Sequence, residues 1–171
     1  RLFAWALVLG LLAVRAVQLR ASQRGVISDG EPMPDFSLVT FEGETITSAD
    51  LQGKVVLVNF WASWCKPCEQ EAEELQDAWE LYEGRGDVVF LGVDYLDTEA
   101  EALAYLERFG ITYPNGPDLA TRIAQSFRLR GVPETFFIDK EGHIAKVQIS
   151  SFNPLAEITS VLDFSLYDAY S

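Results

Sequence analysis

The stretch Trp64-Cys65-Lys66-Pro67-Cys68 constrains this chain more than any other, because it holds both cysteines of a 171-residue sequence and sets them two residues apart. Upstream, Val55 to Trp61 is a run of β-branched, apolar and aromatic residues of the kind that a strand covered on both faces requires. Downstream, Ala72, Leu75, Trp79 and Tyr82 recur three and four apart, so Glu69 to Tyr82 reads as a helix. The cysteines therefore fall on a strand-to-helix turn. Such a turn bares Cys65 at its tip and aims the first N–H groups of the helix at the sulfur, which favours thiolate over thiol. A pair so placed closes into a small ring and reopens without unfolding anything else, which makes it a redox switch.

The rest of the composition removes competing classes. Two cysteines form at most one bridge, and a structural zinc site needs about four N or S ligands where Cys65, Cys68 and His143 are on offer. No metal or other cofactor is expected. A static disulfide is a poor alternative, since a two-residue gap restrains little of the unfolded chain. His143 falls in a predicted hairpin turn and reads as a surface residue. The formal charge of −13 and pI near 4.4 argue against a nucleic-acid partner and fit a solvated surface.

At the N-terminus, Leu2 to Val14 is uninterrupted apolar residues and glycine, and the pattern extends past Arg15 to Arg20. The clean run is shorter than the ~20 residues that span a bilayer. The chain opens on Arg1 and not on methionine, so further residues are expected upstream. A cleaved signal peptide and an uncleaved anchor compete; Ala13-Val14-Arg15 supplies no small-x-small cleavage site, which favours the anchor. Arg15, Arg20 and Arg24 would then sit on the outer side, against the positive-inside tendency. The organisation expected is an anchor or signal segment over residues 1–20, a polar tether over 21–34 and one folded domain over 35–171, a length that supports a single core.

Within that domain, Phe36, Leu38 and Phe41, then Glu42-Gly43, then Thr45 to Thr47 predict a β-hairpin, followed by a helical turn at Ser48 to Leu51. Val88 to Val93 predicts a second buried strand, so the cysteine helix is a right-handed parallel crossover. Glu99 to Phe109 predicts a helix with Leu103, Leu106 and Phe109 inward, closed by Gly110. Pro114 to Pro117 reads as a loop, and Asp118 as the cap of a helix carrying Leu119, Ile123 and Phe127. Thr135 to Asp139 and Ile144 to Ile149 form a hairpin, and a last helix opens at Asn153 or Pro154. The fold class is α/β, a mixed central sheet flanked by helices with an added N-terminal hairpin.

Two blocks carry a family resemblance. Asn59-Phe60-Trp61-Ala62-Ser63-Trp64-Cys65-Lys66-Pro67-Cys68 is similar to the active-site block of the thioredoxin superfamily, and Gly131-Val132-Pro133-Glu134-Thr135-Phe136 resembles its second signature. Within the superfamily the chain resembles the membrane-anchored, extracytoplasmic thiol-disulfide oxidoreductases of cytochrome c maturation. The resemblance implies a thioredoxin-like fold, with Pro133 cis and facing the cysteines and with the Val132 backbone open to a substrate segment. It also implies that Cys65 attacks and Cys68 resolves. Lys66 would tune the pair by charge, and Pro67, expected at the first helical position where its absent N–H costs nothing, by geometry. Asn59 departs from the buried aspartate of cytoplasmic thioredoxins, while Glu71 matches the glutamate that the cytochrome-maturation branch carries instead, poised for proton exchange. Glu134 matches an acidic residue of the same branch, expected to tune the site or touch the partner, and Trp64 would wall the site.

The function so implied is reduction of partner disulfides outside the cytoplasm. Its substrates would include the haem-attachment cysteines of apocytochrome c, and a membrane thiol donor would restore the electrons. The same chemistry run backwards would make a disulfide-introducing oxidase. A copper carrier of this fold would space its cysteines three apart and add a placed histidine, and a peroxidase would need a lone cysteine in a Pro-x-x-x-Thr-x-x-Cys setting; this sequence has neither.

Overall fold

The structure is a computed structural model that describes residues 25–152 and 154–167. The expected membrane segment, the first residues of the tether and Asn153 lie outside the described residues. Among the described residues no helix is long and apolar enough to cross a membrane. The elements in order are β1 (Ser37–Val39), β2 (Thr45–Thr47), a 3-10 turn (Ser48–Leu51), β3 (Val55–Trp61), α1 (Lys66–Tyr82), β4 (Val88–Asp94), α2 (Glu99–Phe109), β5 (Asn115–Pro117), α3 (Arg122–Ser126), β6 (Glu134–Ile138), β7 (Ile144–Ile149) and α4 (Leu155–Tyr167).

All seven residues of β3 are buried, as its unbroken apolar sequence requires. It lies at the centre of a five-stranded sheet ordered β5-β4-β3-β6-β7. β3 runs parallel to β4 and antiparallel to β6, so the sheet is mixed across its central strand. Alternation along β3 feeds two cores. Val56, Val58 and Phe60 pack on one face with Leu38 of the hairpin and with Ile123 and Phe127 of the α3 region. Val55 and Leu57 pack on the other with Leu75 and Tyr82 of α1 and Ile158 and Leu162 of α4. Each residue of the strand is thus committed to one side, and a one-residue slip would exchange the two sets.

Three local expectations are corrected. Asn115-Gly116-Pro117 is an edge strand parallel to β4 and not a loop; its proline is tolerated because an edge strand pairs on one side only. The helix expected from Asp118 is confined to Arg122–Ser126, and Leu119 is 65% exposed. Asp118 nevertheless serves as a cap, accepting from the N–H groups of Arg122 (2.9 Å) and Ala124 (2.8 Å). In α2 the buried stripe is Ala102 and Tyr105, while Leu103 is exposed. The face is rotated because Tyr105 stacks on Trp61, ring centroids 4.4 Å apart. The segment read as a tether is packed in its second half: Ile27 is buried, the Gly30 N–H donates to the Ile144 carbonyl at 2.7 Å, and Pro32 bridges to His143.

Gly92 in β4 is required by a close approach. A Cβ there would lie 1.6 Å from Asn115 Oδ1 and 2.9 Å from Trp61 Nε1, the two atoms joined by a buried 2.8 Å hydrogen bond. Gly92→Ala should therefore break that bond and overpack the sheet, lowering stability by about 3 kcal/mol in urea unfolding. An unchanged midpoint would show that the strands part without cost.

Candidate active site

The redox pair lies where β3 delivers its chain into α1. Cys65 and Cys68 form a disulfide with Cα atoms 5.3 Å apart. Cys65 caps α1 from an extended conformation, and the Cys68 N–H donates to its sulfur at 3.2 Å, as the strand-to-helix reading requires. Cys65 is not bared as the turn alone implies: in the oxidised pair both cysteines are buried, Cys65 at 5% exposed and Cys68 at 1%. Pro67 occupies the second helical position, not the first, where its missing N–H still costs nothing. Trp64 stands out at 58% exposed. The Lys66 ammonium pairs with the Glu69 carboxylate at 2.9 Å, and Arg108 of α2 reaches the same oxygen at 3.3 Å. These partners hold the Glu69 carboxyl below its usual range, Lys66 first.

Beneath the cysteines lies a polar network that crosses the fold. Glu71, one turn after Cys68 on the buried face of α1, is 1% exposed. Its Oε1 accepts from the Asn59 amide at 2.8 Å, and its Oε2 from the Phe152 N–H at 3.2 Å. Asn59 donates its other amide hydrogen to Thr135 Oγ1 at 2.9 Å. Asn59 is not merely a titrating residue lost. It is the donor that holds the carboxyl supplied by α1. Burial pushes the Glu71 pKa up to about 7, and the hydrogen bonds from Asn59 and Phe152 pull against that rise without cancelling it. At this depth Glu71 is not a solvated first-turn carboxylate of the kind the helix dipole alone stabilises.

The Val132–Pro133 peptide is cis. β6 begins at Glu134, opposite Phe60, so this peptide lies just ahead of the sheet ladder. Val132 packs against the cluster that contains Cys65, Cys68, Trp61 and Tyr105, which brings the second signature to the redox pair. Glu134 does not offer itself as an exposed contact. It is 2% exposed, and its carboxylate accepts from the Arg130 N–H at 2.9 Å and the Arg130 guanidinium at 3.1 Å, closing the loop that carries Val132 and Pro133.

Four site residues escape sequence reasoning. Tyr105 donates its hydroxyl to the Cys68 carbonyl at 2.9 Å. Asp97 accepts from the Ser63 N–H and hydroxyl. Thr135 and Asn115 complete the bonds of Asn59 and Trp61. Thr135 stood in the second block without a role, and Asp97 directly before a helix-capping threonine was the other available signal.

Comparison with known proteins agrees with this geometry. The AhpC/TSA family model matches residues 30–147. The thiol-disulfide oxidoreductase ResA of Geobacillus thermodenitrificans (strain NG80-2) is 32% identical over 126 residues, covering 74% of this chain and 72% of that protein. The thioredoxin-like protein YneN of Bacillus subtilis (strain 168) is also 32% identical over 126 residues, covering 73% and 74%. Among solved structures, a thiol:disulfide interchange protein of the thioredoxin family from Chlorobium tepidum TLS superposes with a TM-score of 0.73 at 27% identity, covering 81% of this chain and 98% of that one. Since relatives of this identity span most of both chains and the cysteine pair stands where the chemistry needs it, the chain belongs to the AhpC/TSA family, as a thioredoxin-fold thiol-disulfide oxidoreductase of the ResA type.

Proposed function

We propose that this oxidoreductase works as a reductant outside the cytoplasm, held at the membrane by residues 1–20, with residues 21–34 leading to the domain at 35–171. Its substrates are disulfides of partner proteins, the haem-attachment pair of apocytochrome c foremost, and a membrane thiol donor returns its electrons. The observation that carries the reading is the buried Glu71 carboxyl held by Asn59 one helical turn from the buried Cys68. A carboxyl of this kind is a proton reservoir for the thiol that must be deprotonated to finish the reaction.

In the reaction, the Cys65 thiolate attacks one sulfur of the partner disulfide, and the other partner sulfur leaves as a thiolate and takes up a proton. Cys68 then loses its proton, with Glu71 as the acceptor, and attacks the Cys65 sulfur. The partner's second thiol is released. One partner disulfide has become two thiols, and Cys65–Cys68 has become the disulfide. Val132, outside the ladder and beside the pair, offers its backbone to an extended partner segment, with Trp64 as a wall. Pro133 and Glu134 hold that loop; Lys66, Pro67 and Asn59 tune the pair through charge, helix geometry and the hold on Glu71.

Cys65→Ser should abolish disulfide reduction, and Cys68→Ala should strand the mixed disulfide, so that apocytochrome c or its haem-ligation helpers are recovered covalently bound. Recovery of many unrelated secreted proteins would instead mark an oxidase. Equilibration against dithiothreitol should place the pair near the reducing end of the known scale, about −270 mV, and a value close to −120 mV would reverse the direction.

Glu71 adds a pH signature. Folding raises its pKa from 4.5 to about 7, so the native state binds more protons than the unfolded state across that window. Stability therefore declines as pH rises through the window, and the full penalty is present above it. Glu71→Gln should remove this decline in thermal unfolding. It should also erase the inflection near neutral pH in the rate of partner reduction, slowing the reaction by about tenfold, below the ~100-fold at the low end of what general acid–base catalysis supplies. A variant that keeps the wild-type pH profile would remove Glu71 from the mechanism.

A further inference from the structure

Asp94 ends β4 on the same sheet face as Gly92 and is 0% exposed. Among the described residues, no N–H or hydroxyl group donates a hydrogen bond to either of its carboxyl oxygens. The other deeply buried carboxylates are held: Glu71 by Asn59 and Phe152, Asp118 by Arg122 and Ala124, Glu134 by Arg130, and Asp97 by Ser63. A bare carboxylate in a dry site is too costly to persist, so it keeps a proton instead. Burial, then the charge of Asp97, then hydrogen bonding with Asp97 push the Asp94 pKa up to about 8. Two facing carboxylates make no hydrogen bond until one of them is protonated. With that proton Asp94 is the donor and Asp97 the acceptor.

Asp97 is 5% exposed, and its oxygens lie 2.5 Å from the Ser63 nitrogen and 2.9 Å from the Ser63 hydroxyl. Ser63 stands two residues before Cys65, whose N–H donates to the Ala62 carbonyl at 3.1 Å. The turn that presents Trp64 and the attacking sulfur is therefore hung on Asp97. The strand neighbours of Asp94 are Trp61 on β3 and Pro117 on β5, neither titratable. α2 presents Ala102 and Tyr105 as its buried residues, and burial keeps the Tyr105 hydroxyl neutral. Asp97 is thus the charged group that acts on Asp94.

We propose that Asp94 is a positioning residue for thiol exchange: a buried neutral acid that donates to Asp97, so that the Asp97 carboxylate holds Ser63 and with it the turn that carries Cys65. The device leaves one negative charge behind the turn where two ionised carboxyls would leave two. A second anion there would disfavour the Cys65 thiolate and loosen the turn by repulsion. The proposal concerns the exchange chemistry itself and is independent of partner, membrane and direction.

The test uses the whole protein, first reduced with dithiothreitol and freed of it to open the Cys65–Cys68 disulfide, and a small thiol reagent, so it stands apart from the identity of the partner. The infrared spectrum at neutral pH should contain a protonated-carboxyl C=O stretch that Asp94→Asn removes. Asp94→Asn keeps a donor toward Asp97 without a titrating proton, and should leave Cys65 alkylation by iodoacetamide near the wild-type rate while erasing an alkaline deviation in the pH profile. Asp94→Ala, which removes the donor, should raise the apparent thiol pKa of Cys65 by about one unit, a tenfold loss of thiolate at neutral pH. Thermal unfolding of each variant separates this from a collapse of the fold. If Asp94→Ala does not fold, the spectrum and the Asp94→Asn pH profile decide alone. An unchanged carboxyl stretch in Asp94→Asn, an unchanged alkaline profile, or a folded Asp94→Ala with wild-type alkylation would each overturn the proposal.

Discussion

Exclusion of water from both faces of β3 is the constraint on which the rest of the molecule depends. Because Val55 to Trp61 contribute side chains alternately to two cores, the strand has one register and one exit direction. The chain leaves it at Trp61 and turns over Ala62 to Trp64, so Cys65 arrives at the mouth of α1 with the Cys68 N–H on its sulfur. The redox pair is accordingly placed by the core and not by the loop that carries it. Only three residues separate the strand from Cys65, because the turn is held from below.

The same strand explains the choice of polar residues underneath. Asn59 interrupts an otherwise apolar strand, and a polar group so deep is tolerated only when its hydrogen bonds are made. Both amide hydrogens are used, on Glu71 and Thr135. An aspartate there would titrate by itself; an asparagine fixes the position of a titrating group that belongs to the helix. The proton site has moved from strand to helix, and the strand residue has become its clamp.

Much of this was legible before any coordinate. The all-apolar stretch of β3, the left-handed Gly110 that ends α2, and the redox turn follow from short-range rules of periodicity, capping and spacing. The elements that escaped lack such signals. Asn115-Gly116-Pro117 has the composition of a turn, yet it pairs with β4 because Gly116 admits the hairpin, whose Val39 carbonyl would lie 2.4 Å from a Cβ at that position. Leu103 fits a helical stripe as well as Ala102 does, and only the stack of Tyr105 on Trp61 selects the face that is buried.

The sequence by itself determined the central strand, the cysteine turn and the order of sheet and helices, since each depends on residues a few positions apart. Tertiary structure alone decided which carboxyls are dry. Glu69 and Glu71 are two residues apart on one helix, and one is paired with Lys66 and Arg108 while the other is sealed under Asn59 and Phe152. Glu71 and Phe152 are 81 residues apart, and Asn59 and Thr135 are 76. The pKa of a carboxyl is set by the water and donors around it in space, and contacts at those separations exist only once the sheet has closed.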